Sequence, residues 1–220
     1  MAKKGKLIVF EGADGSGKTT QSKLLVEYLK SKKTPYAYLS FPRYEGSMWA
    51  QMVKRYLFGE FGKINEVDGY FASMLYAGDR LSAKDEIKKW IDEGKIVICN
   101  RYVPSNLAHM SAKMKSQSEK SKYKVWLEKL EYGENKIPKE DLVIFLRVPI
   151  SVTRKLMKKR NLDIHESNLK YQEKVLSQYE LLSDLNKNWA KVNCSKEGKI
   201  LKPQEVHKMV LEVLKDRKIL

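Results

Sequence analysis

The sequence is poor in the residues that build cross-linked or metal-stapled folds: its 220 residues hold two cysteines and three histidines. Cys99 and Cys194 each sit in a short apolar segment and read as buried thiols rather than a disulfide or a metal pair. The histidines lack ligand spacing, which argues against a zinc module. No apolar run approaches membrane-spanning length. Met1-Ala2-Lys3-Lys4-Gly5-Lys6 leads straight into the first apolar run and leaves no room for a secretory signal. Internal repeats and low-complexity tracts are absent too. Acidic residues are the scarcer charge, 27 against 43 basic, for a formal net charge of +16. Yet no run reaches the roughly five or six like charges of a basic tail. Lysines such as Lys30, Lys32, Lys33, Lys88 and Lys89 are scattered over helical patterns, as on solvated faces. These absences leave a chain the size of one α/β domain in a reduced, cytoplasmic compartment, with no membrane partner. Its charge has two uses, a nucleic-acid-binding surface or an enzyme of polyanionic substrates. The scattered lysines favour the second.

One stretch carries obvious chemistry. Gly12-Ala13-Asp14-Gly15-Ser16-Gly17-Lys18-Thr19 has the spacing G-x-x-x-x-G-K-[ST] of a phosphate-binding loop. The apolar run Leu7-Ile8-Val9-Phe10 before it reads as a buried strand, and Thr20 to Lys32 after it as an amphipathic helix. Glycines let the backbone wrap a triphosphate with its N–H groups inward. Lys18 reaches the β/γ oxygens, the Thr19 hydroxyl ligates Mg²⁺, and the helix adds its positive end. The motif therefore implies binding of a nucleoside triphosphate.

Short apolar runs alternate with long helical patterns along the rest. The expected strands are Lys6–Glu11, Tyr36–Ser40, Ile96–Asn100, Asp141–Arg147 and Lys191–Cys194. Helical patterns cover Thr19–Lys32, Ser47–Phe58, Val67–Glu93, Pro104–Lys115, Ser121–Tyr132, Ile150–Lys159, Glu166–Leu185 and Pro203–Lys215. Such alternation implies an α/β fold with a parallel sheet covered on both faces. The polar stretch Lys113–Lys122 reads as a mobile loop or a frayed helix end. Lys158–Glu166, basic and then acidic between two helices, is either a surface connection or a lid over the triphosphate.

A phosphate loop alone does not separate a kinase from other nucleotide-driven proteins. Three further motifs follow expected strands or lie on an expected helix. Ser40-Phe41-Pro42-Arg43-Tyr44 leaves the second strand, where Arg43 is either a surface arginine or a fork for a second phosphate. In Tyr76-Ala77-Gly78-Asp79-Arg80, Tyr76 and Arg80 share a helix face. They are either a core–surface pair or a ring and a guanidinium that stack and read a base. In Asn100-Arg101-Tyr102-Val103-Pro104-Ser105-Asn106, Arg101 stands at the sheet edge within range of a phosphate held by Lys18. Ser105 and Asn106 are either helix caps or, for Asn106, an amide that reads a base edge.

Together these motifs, in this order and spacing along nearly the whole chain, resemble the thymidylate (dTMP) kinase family. Leu146-Arg147-Val148-Pro149 looks like that family's fourth strand. The resemblance implies a three-layer P-loop kinase fold, residues 1–220 as one domain, a five-stranded parallel sheet flanked by helices, and a short lid near 158–166. It implies ATP as donor, dTMP as acceptor, Mg²⁺, and a homodimer. Gly12, Ala13, Asp14, Gly15, Ser16, Gly17, Lys18, Thr19 and Thr20 would hold ATP, joined from the lid by Arg160. Thr19 and Asp14 would serve the metal, and Asp14 would also face the acceptor sugar. Phe41, Arg43, Tyr76, Arg80, Arg101, Ser105, Asn106 and His109 would surround dTMP. Arg43 and Arg101 would grip its phosphate, and Tyr76 would stack on thymine. Arg80 and Asn106 would bond the base edge, and His109 would stand near the deoxyribose. Lys18, Arg101, Asp14 and Arg43 would carry catalysis.

The chain also departs from that pattern. Asn100 stands where the family often has aspartate, which leaves Asp14 or Glu11 as the metal's acidic partner. Gly15 and Ser16 put no basic residue inside the loop, so charge must come from Lys158, Lys159 or Arg160 in the lid. Asp163-Ile164 replaces the lid's frequent Asp-Arg pair, and Glu166 is either a helix-start residue or a ligand. The competing readings are a related kinase of another pyrimidine acceptor, a nucleic-acid-binding ATPase, and a regulatory nucleotide binder that has lost catalysis.

Overall fold

A computed structural model describes residues 4–157 and 163–220. Strands β1 (Lys6–Glu11), β2 (Tyr36–Ser40), β3 (Ile96–Asn100), β4 (Leu142–Arg147) and β5 (Trp189–Asn193) form one parallel sheet in the order β2-β3-β1-β4-β5. Alternation along β1 explains the layers. Leu7 and Val9 join one core with Val97, Val143 and Phe145, and Ile8 and Phe10 join a second with Leu25, Leu29, Ile98 and Val210. The first core is roofed by α2 (Met48–Leu57), α3 (Gly69–Leu81), α4 (Lys84–Asp92), α5 (Val103–Ser111), α6 (Gln117–Glu128) and α8 (Leu169–Leu185). The second lies under α1 (Lys18–Ser31), α7 (Ile150–Met157) and α9 (Pro203–Asp216). With Phe10 level with Asn100 and with Ile144, the carboxyl ends of β1 and β3 open side by side into one crevice.

Three differences from the sequence reading have local causes. The pattern Val67–Glu93 is two helices, because the chain turns at Ser82, whose Oγ donates to the Asp79 carbonyl at 2.8 Å. Asp141 precedes β4 rather than joining it, since its carboxylate accepts from the Leu7 amide at 2.8 Å and pairs with Lys6. The stretch 113–122 holds an ordered helix start: Ser116 and Glu119 cap α6 reciprocally. Beyond α6 the backbone widens into a π-helical turn, Lys129–Glu134, which delivers Glu131 into the core. A small hairpin, β6 (Ser195–Lys196) and β7 (Lys199–Ile200), precedes α9.

Candidate active site

The loop between β1 and α1 wraps tightly. Gly12 has φ 146° and Gly17, heading α1, has φ 91°. A Cβ at residue 12 would meet the Leu146 carbonyl oxygen at 2.6 Å, so only glycine fits. Lys18 folds its ammonium inward and donates to the carbonyls of Gly12 at 3.0 Å and Ala13 at 2.9 Å. From the end of β3, Arg101 approaches the same loop. Its φ of 68° lies in the left-handed region, which costs a non-glycine residue about 1–3 kcal/mol. The Arg101 guanidinium ion-pairs with Asp14 and donates to Ser105 Oγ at 3.2 Å. Lys18 Nζ stands 4.0 Å from that Asp14 oxygen, and Gln172 Nε2 donates to the other oxygen at 3.1 Å.

Beneath this cluster Glu11 is fully buried and accepts four bonds. They come from the Tyr102 amide at 2.9 Å, the Ser105 amide at 3.1 Å, Ser105 Oγ at 2.7 Å and Tyr179 OH at 2.8 Å. The carboxylate thus fixes the start of α5 and holds Arg101 to its left-handed turn.

These elements enclose a cavity of about 740 Å³. The phosphate loop supplies Asp14, Gly15, Gly17, Lys18, Thr19 and Thr20, and the segment after β2 supplies Ser40, Phe41, Pro42 and Tyr44. Tyr76 comes from α3, while Asn100, Arg101, Ser105, Asn106 and His109 come from β3 and α5. Asp163, His165 and Glu166 close the remaining wall. Two histidines there form a buried pair: the His109 and His165 rings stack at 5.5 Å, and Tyr56 OH bonds His165 Nε2 at 2.8 Å.

Burial sets the electrostatics. It lowers the Lys18 ammonium to about 7, helped by Arg101 and opposed by Asp14. Burial alone would raise the Asp14 carboxyl, but Arg101 and Lys18 hold it well below the usual carboxylate range. Burial would lower Arg101, yet Asp14 keeps it above its ordinary value. Burial also pushes His109 well below its ordinary value and His165 to about 3, so both rings are neutral at neutral pH. The result is a cluster of two cations, Lys18 and Arg101, on one carboxylate, Asp14, beside the phosphate loop, a setting for clustered phosphates, with Asp163 and Glu166 elsewhere on the cavity wall.

The donor set also fits a hard divalent cation. Thr19 Oγ1 accepts from Asn100 Nδ2 at 3.0 Å, and Asn100 Oδ1 is buried without a hydrogen-bond partner among the described residues. Thr19, Asn100 and Asp14 share the cavity wall. No trio of His, Cys, Asp or Glu able to cage a metal occurs among the described residues, so phosphate oxygens and water would complete the shell.

Comparison with known proteins decides which nucleotide enzyme this is. The family model for thymidylate kinase matches residues 10–210. The chain belongs to the thymidylate kinase family. Thymidylate kinases are ATP-dependent nucleoside monophosphate kinases. The thymidylate kinase of Plasmodium falciparum is 38% identical over 147 residues, 67% of this chain and 63% of that protein. A probable thymidylate kinase of Pyrococcus abyssi is 29% identical over 219 residues, covering 96% of this chain and 97% of that one. The solved thymidylate kinase of Candida albicans has the same fold, at TM-score 0.79 and 20% identity over 99% of this chain and 94% of that one.

Within this thymidylate kinase framework most of the expected residues meet at the cavity, and three are held elsewhere. Arg43 does not line it: its guanidinium turns to Asp79 and Ser82, with Nε 3.3 Å from Asp79 Oδ1. Arg80 does not line it either. It is buried in the core, where Glu131 takes Nε at 3.0 Å and also Nη2, and the Tyr102 carbonyl takes Nη1 at 3.4 Å. Glu11, saturated by its four bonds, is not free to ligate a metal. Gly12, Ala13 and Ser16 shape the loop from behind its lining face. Lys158, Lys159 and Arg160 lie outside the described residues. Tyr44, Gln172, His165 and Asp79 received no role from sequence. Tyr44 and Asp79 stood inside quoted motifs without a reason to choose them, and only the fold brings Gln172 to Asp14.

Proposed function

We propose that the protein transfers the γ-phosphate of ATP to dTMP, giving ADP and dTDP. The observation that carries this reading is the convergence of Lys18, Arg101 and Asp14 on a single cavity that also holds Tyr76, Asn106 and His109. Two phosphate-bearing substrates meet there end to end. Lys18 and the loop amides, from Gly12 through Thr20, hold the donor phosphates. Arg101 spans donor and acceptor phosphates, and its pairing with Asp14 keeps the guanidinium extended towards both. Tyr76 and Phe41 supply aromatic surface for the acceptor base, Asn106 and Ser105 supply polar edges, and Asp14 and His109 face the sugar. An acceptor phosphate is already ionised at neutral pH, so no general base is needed. In-line positioning and charge cancellation do the work.

Mg²⁺ belongs to the same reading. Thr19 and Asp14 would hold it with help from the orphaned Asn100 carbonyl, and bound there it would neutralise phosphate charge. The lid reading for 158–166 is supported by Asp163, His165 and Glu166 on the cavity wall. No helix among the described residues is long and apolar enough to cross a membrane. Two free, buried cysteines support a reduced, cytoplasmic setting. Exposed Met48 and Trp49 on α2, with Phe71, Met74 and Leu81 on α3, support a homodimer, which light scattering tests directly. The function itself is tested by Lys18→Ala: turnover of dTMP should be abolished, and near-wild-type activity would sink the assignment.

A further inference from the structure

A buried carboxylate outside the cavity organises one of its walls. Asp79 of α3 is fully buried and accepts the Arg43 amide at 2.8 Å, Arg43 Nε at 3.3 Å and Ser47 Oγ at 2.9 Å. Ser47 in turn caps α2 by accepting from the Ala50 amide at 3.0 Å. The Arg43 guanidinium closes the ring, with Nη2 donating to Ser82 Oγ at 2.6 Å and Nη1 standing 4.0 Å from Glu86. Between these anchors the chain turns sharply, the Gly46 amide donating to the Arg43 carbonyl at 2.5 Å. A second contact locks the same pair of helices. The Trp49 ring lies so close on Gly78 that a Cβ there would meet it at 2.2 Å. The segment held this way supplies Ser40, Phe41, Pro42 and Tyr44 to the cavity wall, the acceptor side in the function proposed above.

We infer that Asp79 is a positioning residue for acceptor binding, and that Arg43 serves it as a clamp on the Ser40–Tyr44 wall rather than as a phosphate ligand. The inference rests on the dTMP kinase reading above. Its geometry is specific to arginine: only a fork reaches Asp79 and Ser82 together while the backbone amide bonds the same carboxylate. A lysine keeps the charge and loses the clamp. A phosphate ligand would behave the other way, tolerating lysine in part because a point charge still attracts phosphate.

Steady-state kinetics on Asp79→Asn, Arg43→Lys, Arg43→Ala and the double variant Asp79→Asn/Arg43→Lys tests this, with thermal unfolding recorded for each. The dTMP KM should rise roughly tenfold in each single variant, with little change in the ATP KM. The double variant should be no worse than its singles, since both remove one clamp. If Asp79→Asn does not fold, Arg43→Lys, behind the cavity wall, carries the same comparison. Substantial rescue by Arg43→Lys relative to Arg43→Ala, an unchanged dTMP KM in Asp79→Asn, or equal rises in both KM values would overturn the clamp. Failure of the underlying reading shows separately, as a wild-type protein that does not phosphorylate dTMP.

Discussion

Arg101 and Asp14 form an ion pair across the mouth of the phosphate loop, and Lys18 Nζ stands 4.0 Å from the same carboxylate oxygen. One carboxylate therefore holds two cations apart from each other and close to where phosphates must meet. Removing it should not simply weaken binding. Asp14→Asn leaves Arg101 and Lys18 facing each other uncompensated, so kcat should fall by roughly a hundredfold or more, with a smaller change in the ATP KM. Equal losses in kcat and ATP binding would place Asp14 in donor binding alone.

Lys18 gives a pH signature. Burial lowers its ammonium to about 7 in the free protein, so the charged fraction falls as pH rises through that value. Arriving phosphates restore the charged form, and ATP binding should take up a proton between about pH 7 and 8. Calorimetry in buffers of different ionisation enthalpy measures this uptake. Its absence would mean that Lys18 stays fully charged in the free site.

The histidine pair makes an acid-side prediction. His165 titrates at about 3 in the folded protein because it is buried, whereas an unfolded histidine titrates near 6.5. Below pH ~6.5 the unfolded chain binds the extra proton first, so this group erodes stability as pH falls from ~6.5 towards ~3. His165→Gln, which can still bond Tyr56, should flatten the decline in urea midpoint between pH 6.5 and 5. An unchanged slope would show that His165 does not contribute.

Arg80 and Glu131 predict a stability effect rather than a kinetic one. Both are buried, with 2% and 0% of their side-chain surface exposed. Glu131→Ala strands the Arg80 charge in the core and should cost about 3–5 kcal/mol in denaturant unfolding. Replacing both by apolar residues of similar volume should recover much of that loss.

How much of this was legible in the sequence depends on range. The strand β1 and the loop after it were readable because their pattern is local: an apolar run, fixed glycine spacing, then Lys18 and Thr19. Strands β2 and β3 were read to the residue for the same reason. The partners of Arg43 and Arg80 were not legible because they are remote. Asp79 lies 36 positions from Arg43, and Glu131 lies 51 positions from Arg80 on a π-helical turn that no periodicity announces. His165 looked like part of a polar lid, yet the fold folds it under Tyr56 and against His109. The motifs singled the arginines out, and only the fold supplies the partners they hold.

The central claim is that one cavity brings ATP and dTMP together for phosphoryl transfer. Coupled ADP release with Mg·ATP against dTMP, dUMP, dCMP and dAMP, with dTDP identified directly, tests it most simply. The wild-type protein should form dTDP stoichiometrically with ADP, with dTMP as the preferred acceptor. ADP release that ignores dTMP, or that rises only when DNA is added, would contradict it.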